Sequence, residues 1–404
     1  GRAPPQTLME APARPTLRLA KNQERRIRSG HPWIFSNEIE AIEGTPEAGG
    51  EVLVVDSRGG IVGTALYNPR SLIAARLFAR RDRPIDATLF RDRIAAALAL
   101  RRRIFPVEET YRLVYSEGDF LPGLIVDRYG DYLAVQSLTA GIERRLDAVL
   151  GVLEETLRPA GIVCRRDASS RAYEDLPLLE PLVRGTVPER IDAAYEGFVI
   201  TVDLLSGQKT GEFLDQRENR KRVAKESVGR RVLDLYCYTG LSSLQCAAAG
   251  AGPIVGIDRS EPAIERAREN ARRNVPNRGV EFRVAEVEEA LPALERSGER
   301  FGMIVLDPPA LVKSRKAVQE GARKYAALNA SAIRLLEPGG ILATATCSHH
   351  VDAPLFLDIL RGAAKQAGEP LRVIEVLGQS RDHPVLLAAR ETSYLTMVIA
   401  ERIR

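Results

Sequence analysis

Between residue 17 and about 83, short apolar runs alternate with turn residues. "GEVLVVDSRGGIVGTALYNPRSLIAARLFAR" reads as strand, Gly-Gly turn, strand, Asn-Pro turn, strand, and predicts a small β-barrel. A helical period follows over about 86–105, with Leu89, Ile94, Leu98 and Ile104 among arginines. Strands are expected near 111–115, 123–128 and 131–138, a helix near 142–157, a strand near 161–166, and further strands up to "FVITVDLLSG". From about 230 the rhythm becomes strand, helix, strand: "RVLDLY", "LSSLQCAAAG", "PIVGID", "EPAIERARENARRN", "VEFRVAE", "FGMIVLD", "ILATATCS" and a last strand, "SYLTMVIAERI". Repeated β-α pairs mean a parallel sheet with helices on both faces. The expected fold is therefore α/β in three units. Residues 1–84 hold a loose tail and the barrel, 85–195 a small middle α/β unit, and 196–404 a doubly wound, Rossmann-like domain.

Composition narrows the class. The 404 residues are 45% hydrophobic and 28% charged, a soluble globular balance. No apolar run approaches the ~20 residues of a membrane span, so no membrane partner is expected. The opening "GRAPPQTLMEAPARPT" lacks the apolar core of a secretory signal. Four Cys form neither a C-x-x-C pair nor a metal spacing, which points to reduced thiols in cytoplasm and no metal. Net charge is only +4, but arginines cluster early. Arg25, Arg26 and Arg28 precede "SGHPWIFS", Arg80, Arg81 and Arg83 follow a strand, and Arg101, Arg102 and Arg103 lie on a helix. Such repeated patches suit a phosphate-contacting face, although a solvated surface has the same composition.

Ligands of doubly wound sheets bind at the carboxyl ends of the strands. There the first strand runs into Asp234-Leu-Tyr-Cys-Tyr-Thr-Gly240, and the second ends in Asp258. A carboxylate at Asp258 can accept from both ribose hydroxyls of a nucleoside cofactor. Only Gly240 stands where a dinucleotide fingerprint needs three glycines. S-adenosylmethionine carries ribose and adenine but no phosphate, and it tolerates this loop. The loop Tyr236 to Gly240, with Tyr238 and Thr239, should lie under its methionine part. Glu286, ending the third strand, should face the adenine amine. The fourth strand ends in Asp307-Pro-Pro, a rigid turn that holds the carboxylate at the cleft. Ala310 stands where amino-group methyltransferases carry an aromatic after Pro-Pro.

"ILATATCSHH" asks why a buried strand ends in a thiol, a hydroxyl and two imidazoles. This strand should neighbour the Asp307 strand, so Cys347 would face Asp307 across the cofactor cleft. A thiol there can act as a nucleophile; alone, a buried inert cysteine is the commoner case. His349 and His350 point to opposite sides of an extended backbone and read as surface loop residues.

The segments "SGHPWIF", "EGDFLPGLIVDRYGD", "VDLLSGQKTGEFLDQREN", "LDPPALVKS", "ATCS" and "DHPV" occur in the order seen in bacterial 23S ribosomal RNA cytosine-5 methyltransferases, which the chain resembles over nearly its whole length. The resemblance implies an N-terminal PUA domain, a middle α/β domain and a C-terminal class I methyltransferase domain. It implies S-adenosylmethionine as cofactor, 23S rRNA or a large-subunit precursor as partner, and a homodimer. It adds Lys209, Phe213, Asp215, Gln216 and Arg217 as cofactor-site residues, and RNA contacts at Arg25, Arg26, Arg28, His31 and Trp33. Cys347 becomes the nucleophile that adds to C6 of cytosine, with Asp307 on the base edge. The chain departs from the family at Leu241-Ser242, where Gly-Phe is usual, and at Glu212, where a second aromatic is usual. Two other readings stay open: guanine-N7 methylation of rRNA, which needs no cysteine, and a non-catalytic RNA-binding ribosome-assembly factor.

Overall fold

The structure is a computed structural model and describes residues 14–207, 210–312 and 314–403. The N-terminal unit is a six-stranded sheet, in spatial order Trp33–Ile34, Ala75–Ala79, Ile61–Tyr67, Gly50–Val55, Thr16–Leu19, Ile39–Glu43. Thr16–Leu19 pairs parallel with Gly50–Val55 and antiparallel with Ile39–Glu43. Its inward residues, among them Leu17, Leu19, Val52 and Val54, form one core with Ile27 from the short helix Glu24–Arg28. Next comes helix Ala87–Ile104, started by Asp86, whose carboxylate accepts from the Leu89 N–H at 3.0 Å. It packs on a five-stranded middle sheet: Leu179–Gly185, Gly161–Arg166, Tyr132–Ser137, Leu124–Tyr129, Thr110–Tyr115.

The C-terminal unit carries the expected parallel sheet. Its strands are β1 (Val232–Leu235), β2 (Ile254–Asp258), β3 (Val280–Val284), β4 (Phe301–Leu306), β5 (Leu336–Thr346), β6 (Leu371–Leu377) and β7 (Thr396–Arg402). Their spatial order is β3-β2-β1-β4-β5-β7-β6, with β7 antiparallel to both neighbours. The order reverses between β1 and β4, which opens a crevice at their carboxyl ends. β6 is an element the hydrophobic pattern did not suggest. It lies at the sheet edge with Val373, Ile374 and Val376 largely exposed, so its apolar positions do not alternate with burial. A hairpin, Ile191–Tyr195 and Phe198–Val202, packs into the same core as this sheet.

Buried arginines join the units. Arg101, expected on a basic surface, is instead fully buried. It binds both Asp119 oxygens, at 2.5 and 2.7 Å, and donates to the Arg112 carbonyl at 2.8 Å and the Asp382 carbonyl at 2.6 Å. Arg112 grips both oxygens of Asp127, and its N–H donates to Asp382 at 2.9 Å. Burying such charges stabilises little by itself, but removing one partner strands the other in a dry interior. The "DHPV" turn thus closes onto the middle sheet from 270 or more residues away. Asp382, paired also with His383 at 2.9 Å, is held below the ordinary carboxylate range by His383 and Arg217 despite its burial.

Candidate active site

β1 ends in buried Asp234, whose carboxylate accepts from the Ser243 hydroxyl at 2.6 Å. Burial raises its pKa to about 7, against the opposing pull of Ser243 and Arg220. The chain then passes through Tyr236, Tyr238 and Gly240, all with positive φ. Two tyrosines in the left-handed region are costly, and such strain persists only where surroundings over-determine it. Here the Tyr236 hydroxyl donates to Glu288 at 2.8 Å, the Tyr238 hydroxyl to the Gly211 carbonyl at 3.2 Å, and the Tyr238 N–H to Asp258 at 3.0 Å. Glycine is required at 240, where a Cβ would also meet the Phe282 ring at 2.7 Å. Asp258 accepts in addition from the Ser260 N–H at 2.9 Å. It therefore shapes the loop and keeps acceptor capacity toward the cleft.

The cleft at this edge is lined by Phe213, Asp215, Gln216, Tyr236, Tyr238, Thr239, Asp258, Glu286, Asp307 and Cys347, so most of the expected site residues meet in one place. Gly240 ends the loop that lines the cleft and packs against Phe282, without lining the cleft itself. Gln216 donates to Asp307 at 2.9 Å and is itself held by the Asn219 amide at 2.6 Å. The Tyr394 hydroxyl donates to Asp215 at 2.5 Å. Arg217 is a correction: it does not reach the cleft. Its guanidinium lies between the Phe105 and Tyr195 rings, 4.5 and 4.6 Å from their centroids, and pairs with Glu196 at 2.5 Å. Lys209 lies outside the described residues.

Cys347 follows β5 and is half-buried, between buried Thr346 and buried Ser348. Alternation along an extended chain sends the neighbours one way and the thiol the other. Thr346 and Ser348 both hydrogen-bond the Tyr325 hydroxyl, at 2.9 and 3.0 Å. The same hydroxyl accepts from the Leu311 N–H at 3.4 Å, and Ser348 accepts from the Val312 N–H at 3.2 Å. One hydroxyl thus ties the Asp307-Pro-Pro turn to the strand end that carries the thiol. Tyr325 sits mid-helix (Val318–Arg334) and carries no sequence signal of this role. His349 and His350 are exposed, as expected. Cys237, the other cysteine at the cleft, is 7% exposed, and burial with Asp234 and Asp258 pushes its thiol well up, so it is a poor thiolate.

Glu212, the departure from the family pattern, is buried at the cleft. It accepts from the Thr239 hydroxyl and from the Phe213 N–H at 3.1 Å, and burial raises its pKa. Seven carboxyl groups line the cleft (Glu212, Asp215, Asp234, Asp258, Glu286, Glu288, Asp307) against two arginines, Arg220 and Arg259, and the acids still outnumber the cations when burial draws Asp234 and Glu212 toward their neutral forms. That balance suits a cationic ligand with ribose hydroxyls and opposes a pyrophosphate.

On the RNA side, Arg26 pairs with Glu38 at 2.7 Å and Arg28 with Asp56 at 2.9 Å, whereas exposed Arg25 bonds only the Asn22 amide among the described residues. His31 is buried against Glu391 at 3.3 Å, and the Trp33 indole N–H donates to Glu117 at 2.8 Å. Both side chains join the N-terminal sheet to the rest of the molecule, a use that long-range pairing hides from sequence.

A family model described as PUA-like domain matches residues 17–80, and one described as S-adenosylmethionine-dependent methyltransferase matches residues 178–393. A Tolumonas auensis protein named ribosomal RNA large subunit methyltransferase I is 35% identical over 394 residues, 96% of this chain and 99% of that one. The Photobacterium profundum protein of the same name is 36% identical over 94% and 97%. The chain belongs to this methyltransferase family. A solved Streptococcus mutans protein, described as an S-adenosylmethionine-dependent methyltransferase, superposes with TM-score 0.82 at 18% identity, over 96% and 99% of the two chains. A solved methyltransferase complexed with S-adenosylhomocysteine matches the same shares with TM-score 0.81 at 18% identity. These two likenesses describe the fold. The cofactor is S-adenosylmethionine, and the acidic cleft, the Asp258 carboxylate and the absence of a phosphate-type glycine loop fit it.

Proposed function

We propose that this enzyme methylates C5 of a cytosine in 23S rRNA, with Cys347 as covalent nucleophile. The observation that supports it most is the junction of Cys347 and Asp307 in the cofactor cleft, fixed through Tyr325 and Gln216. S-adenosylmethionine supplies an electrophilic methyl group. The chain must make C5 of the cytosine nucleophilic, because that carbon is unreactive by itself. The Cys347 thiolate adds to C6 and turns C5 into an enamine-like carbon. Asp307, held by Gln216, takes the N3/N4 edge of the base and stabilises the adduct. Methyl transfer leaves S-adenosylhomocysteine; a base then takes the C5 proton, the electrons of the C5–H bond re-form the C5–C6 double bond, and the C6–S bond breaks to return the Cys347 thiolate. Asp258 holds the ribose, Glu286 the adenine amine, and the Tyr236–Gly240 loop the methionine end. Large-subunit rRNA as substrate follows the names of the relatives. The target base must leave its stack, at a cost of roughly a few kcal/mol.

The test is RNA carrying 5-fluorocytosine at the target. Fluorine does not leave as a cation, so the parent protein should form a denaturation-resistant complex, and Cys347→Ala and Cys347→Ser should not. A complex that survives in Cys347→Ala moves the role to another cysteine. rRNA methylated without any trapped complex favours guanine N7.

A further inference from the structure

The acidic cleft that suits a cationic cofactor repels an RNA backbone, so binding energy for the strand must come from elsewhere. We propose that the seam between the N-terminal sheet and the middle unit is a second RNA site. It takes one single-stranded nucleotide on the same strand as the target, with its base on Phe120 and its phosphates on the surrounding arginines. This rests on the reading of RNA as substrate.

A cavity of about 490 Å³ opens at the seam, floored by Phe78 and rimmed by Arg80, Arg81, Arg83 and Arg93, with Phe120 at its mouth. Phe120 is 47% exposed and sits in the left-handed region at φ 59°. A large apolar side chain gains nothing from exposure in a strained turn, so its presence there asks for a partner. Arg93 donates to the Phe120 carbonyl at 3.1 Å and the Phe78 carbonyl at 2.8 Å, joining both walls. Its guanidinium lies over one face of the Phe120 ring, 5.1 Å from the centroid, so a base stacks on the other face with the cation behind the ring. Of the four arginines, only Arg83 has a carboxylate partner among the described residues, Asp92 at 2.6 Å. Burial lowers the Arg93 pKa, and the charges of Arg83 and Arg80 lower it further against the opposing pull of Asp92, so the cations are crowded around one carboxylate. Cations in excess of carboxylates around an exposed ring are what single-stranded nucleic acid uses, phosphate on one and base on the other.

The position also fits one strand serving both sites. The turn bearing Phe120 begins at Tyr115, whose ring packs 6.1 Å from Tyr394, and the Tyr394 hydroxyl reaches Asp215 in the cofactor cleft. Five residues span at most about 18 Å. The Tyr115–Tyr394–Asp215 relay adds to that span, so a base in the catalytic cleft and one on Phe120 are within reach of one strand several nucleotides long.

The test measures binding of a short fluorescein-labelled single-stranded RNA and of protein-free 23S rRNA, against salt, with AMP and inorganic phosphate as competitors. Phe120→Asn keeps a residue that tolerates positive φ while removing the ring. It should weaken RNA binding roughly 5- to 150-fold, the effect of one base–aromatic stack. Arg81→Ala touches an exposed side chain and should lower the salt slope by about 0.7, one single-strand phosphate contact. A calorimetric titration with S-adenosylhomocysteine on each variant reports that the fold survives. Parent-like RNA affinity and salt slope in both variants, with a parent that methylates rRNA, overturn this site alone. A parent that binds no RNA overturns the RNA reading with it. AMP or phosphate competing as well as RNA does would make the seam a small-anion site and overturn the strand proposal.

Discussion

Replacing Asp234 with Asn should change how the catalytic domain's stability responds to pH. Asp234 is 2% exposed, and its pKa is raised from 3.8 to about 7 in the folded protein. A raised carboxyl pKa means that the folded state holds a proton that the unfolded chain has already lost. Below pH 4 both states are protonated and the group costs nothing. From about 4 to 7, stability falls by about 1.4 kcal/mol per pH unit, and above 7 the full penalty, about 4 kcal/mol, is in place. Asn at this position cannot ionise, and its carbonyl can still accept from Ser243. The variant should therefore be more stable than the parent at pH 8 by up to about 4 kcal/mol, with the difference vanishing toward pH 4. Glu212 and His31 also titrate with shifted values, but they are common to both proteins and cancel in the comparison. Unfolding of a chain with several units is not two-state. The assay is therefore native-state hydrogen exchange in β1, whose opening reports on that domain. Parallel curves for parent and variant from pH 5 to 8 would refute the buried, protonated carboxyl.

Asp258→Ala should weaken S-adenosylmethionine binding by about 1–3 kcal/mol, since it removes the proposed ribose acceptor and unpairs the Tyr238 N–H; unchanged calorimetric affinity would remove Asp258 from the site. Tyr325→Phe should lower kcat at least about 10-fold while cofactor affinity holds, because the hydroxyl positions Cys347 and the Asp307 turn without lining the cleft. Equal kcat in that variant would show that the hydroxyl hub does not position the chemistry. Arg101→Ala should destabilise the middle unit by about 3–5 kcal/mol by leaving the Asp119 charge buried without its cation, read from native-state hydrogen exchange in the middle sheet; a loss below about 1 kcal/mol would show that water replaces the guanidinium.

The catalytic sheet was legible because each of its parallel strands ends in a chemically distinctive residue and each is followed by a helical period. Asp258, Asp307 and Cys347 could be placed at one edge from strand order alone. What stayed hidden depends on partners far away in sequence. Arg217 and Arg101 look like any surface arginines until Glu196 and Asp119 come beside them. His31 and Trp33 look like an RNA face until Glu391 and Glu117 are in place. Tyr325 has the helical spacing of a core residue, and only the packing of its helix beneath β5 aims its hydroxyl at the strand end. The exposed edge strand β6 lacks an alternation that would announce it.

The turn at Asp382 has a consequence for how the protein is made. It closes onto Arg101 and Arg112, and the segment just beyond it reaches Tyr115 through the Thr392 carbonyl and His31 through Glu391. At about 5–20 residues per second, the ribosome delivers Asp382 roughly 15–55 s after Arg112. During that interval Asp127 can already pair with Arg112, but the Arg101 guanidinium lacks one of its acceptors and the Arg112 N–H lacks its carboxylate. The nascent middle unit waits half-finished, with an open seam where the catalytic domain will dock. Order of synthesis thus sets order of assembly: whichever units have folded by then, the cleft is locked in place only when one late turn arrives.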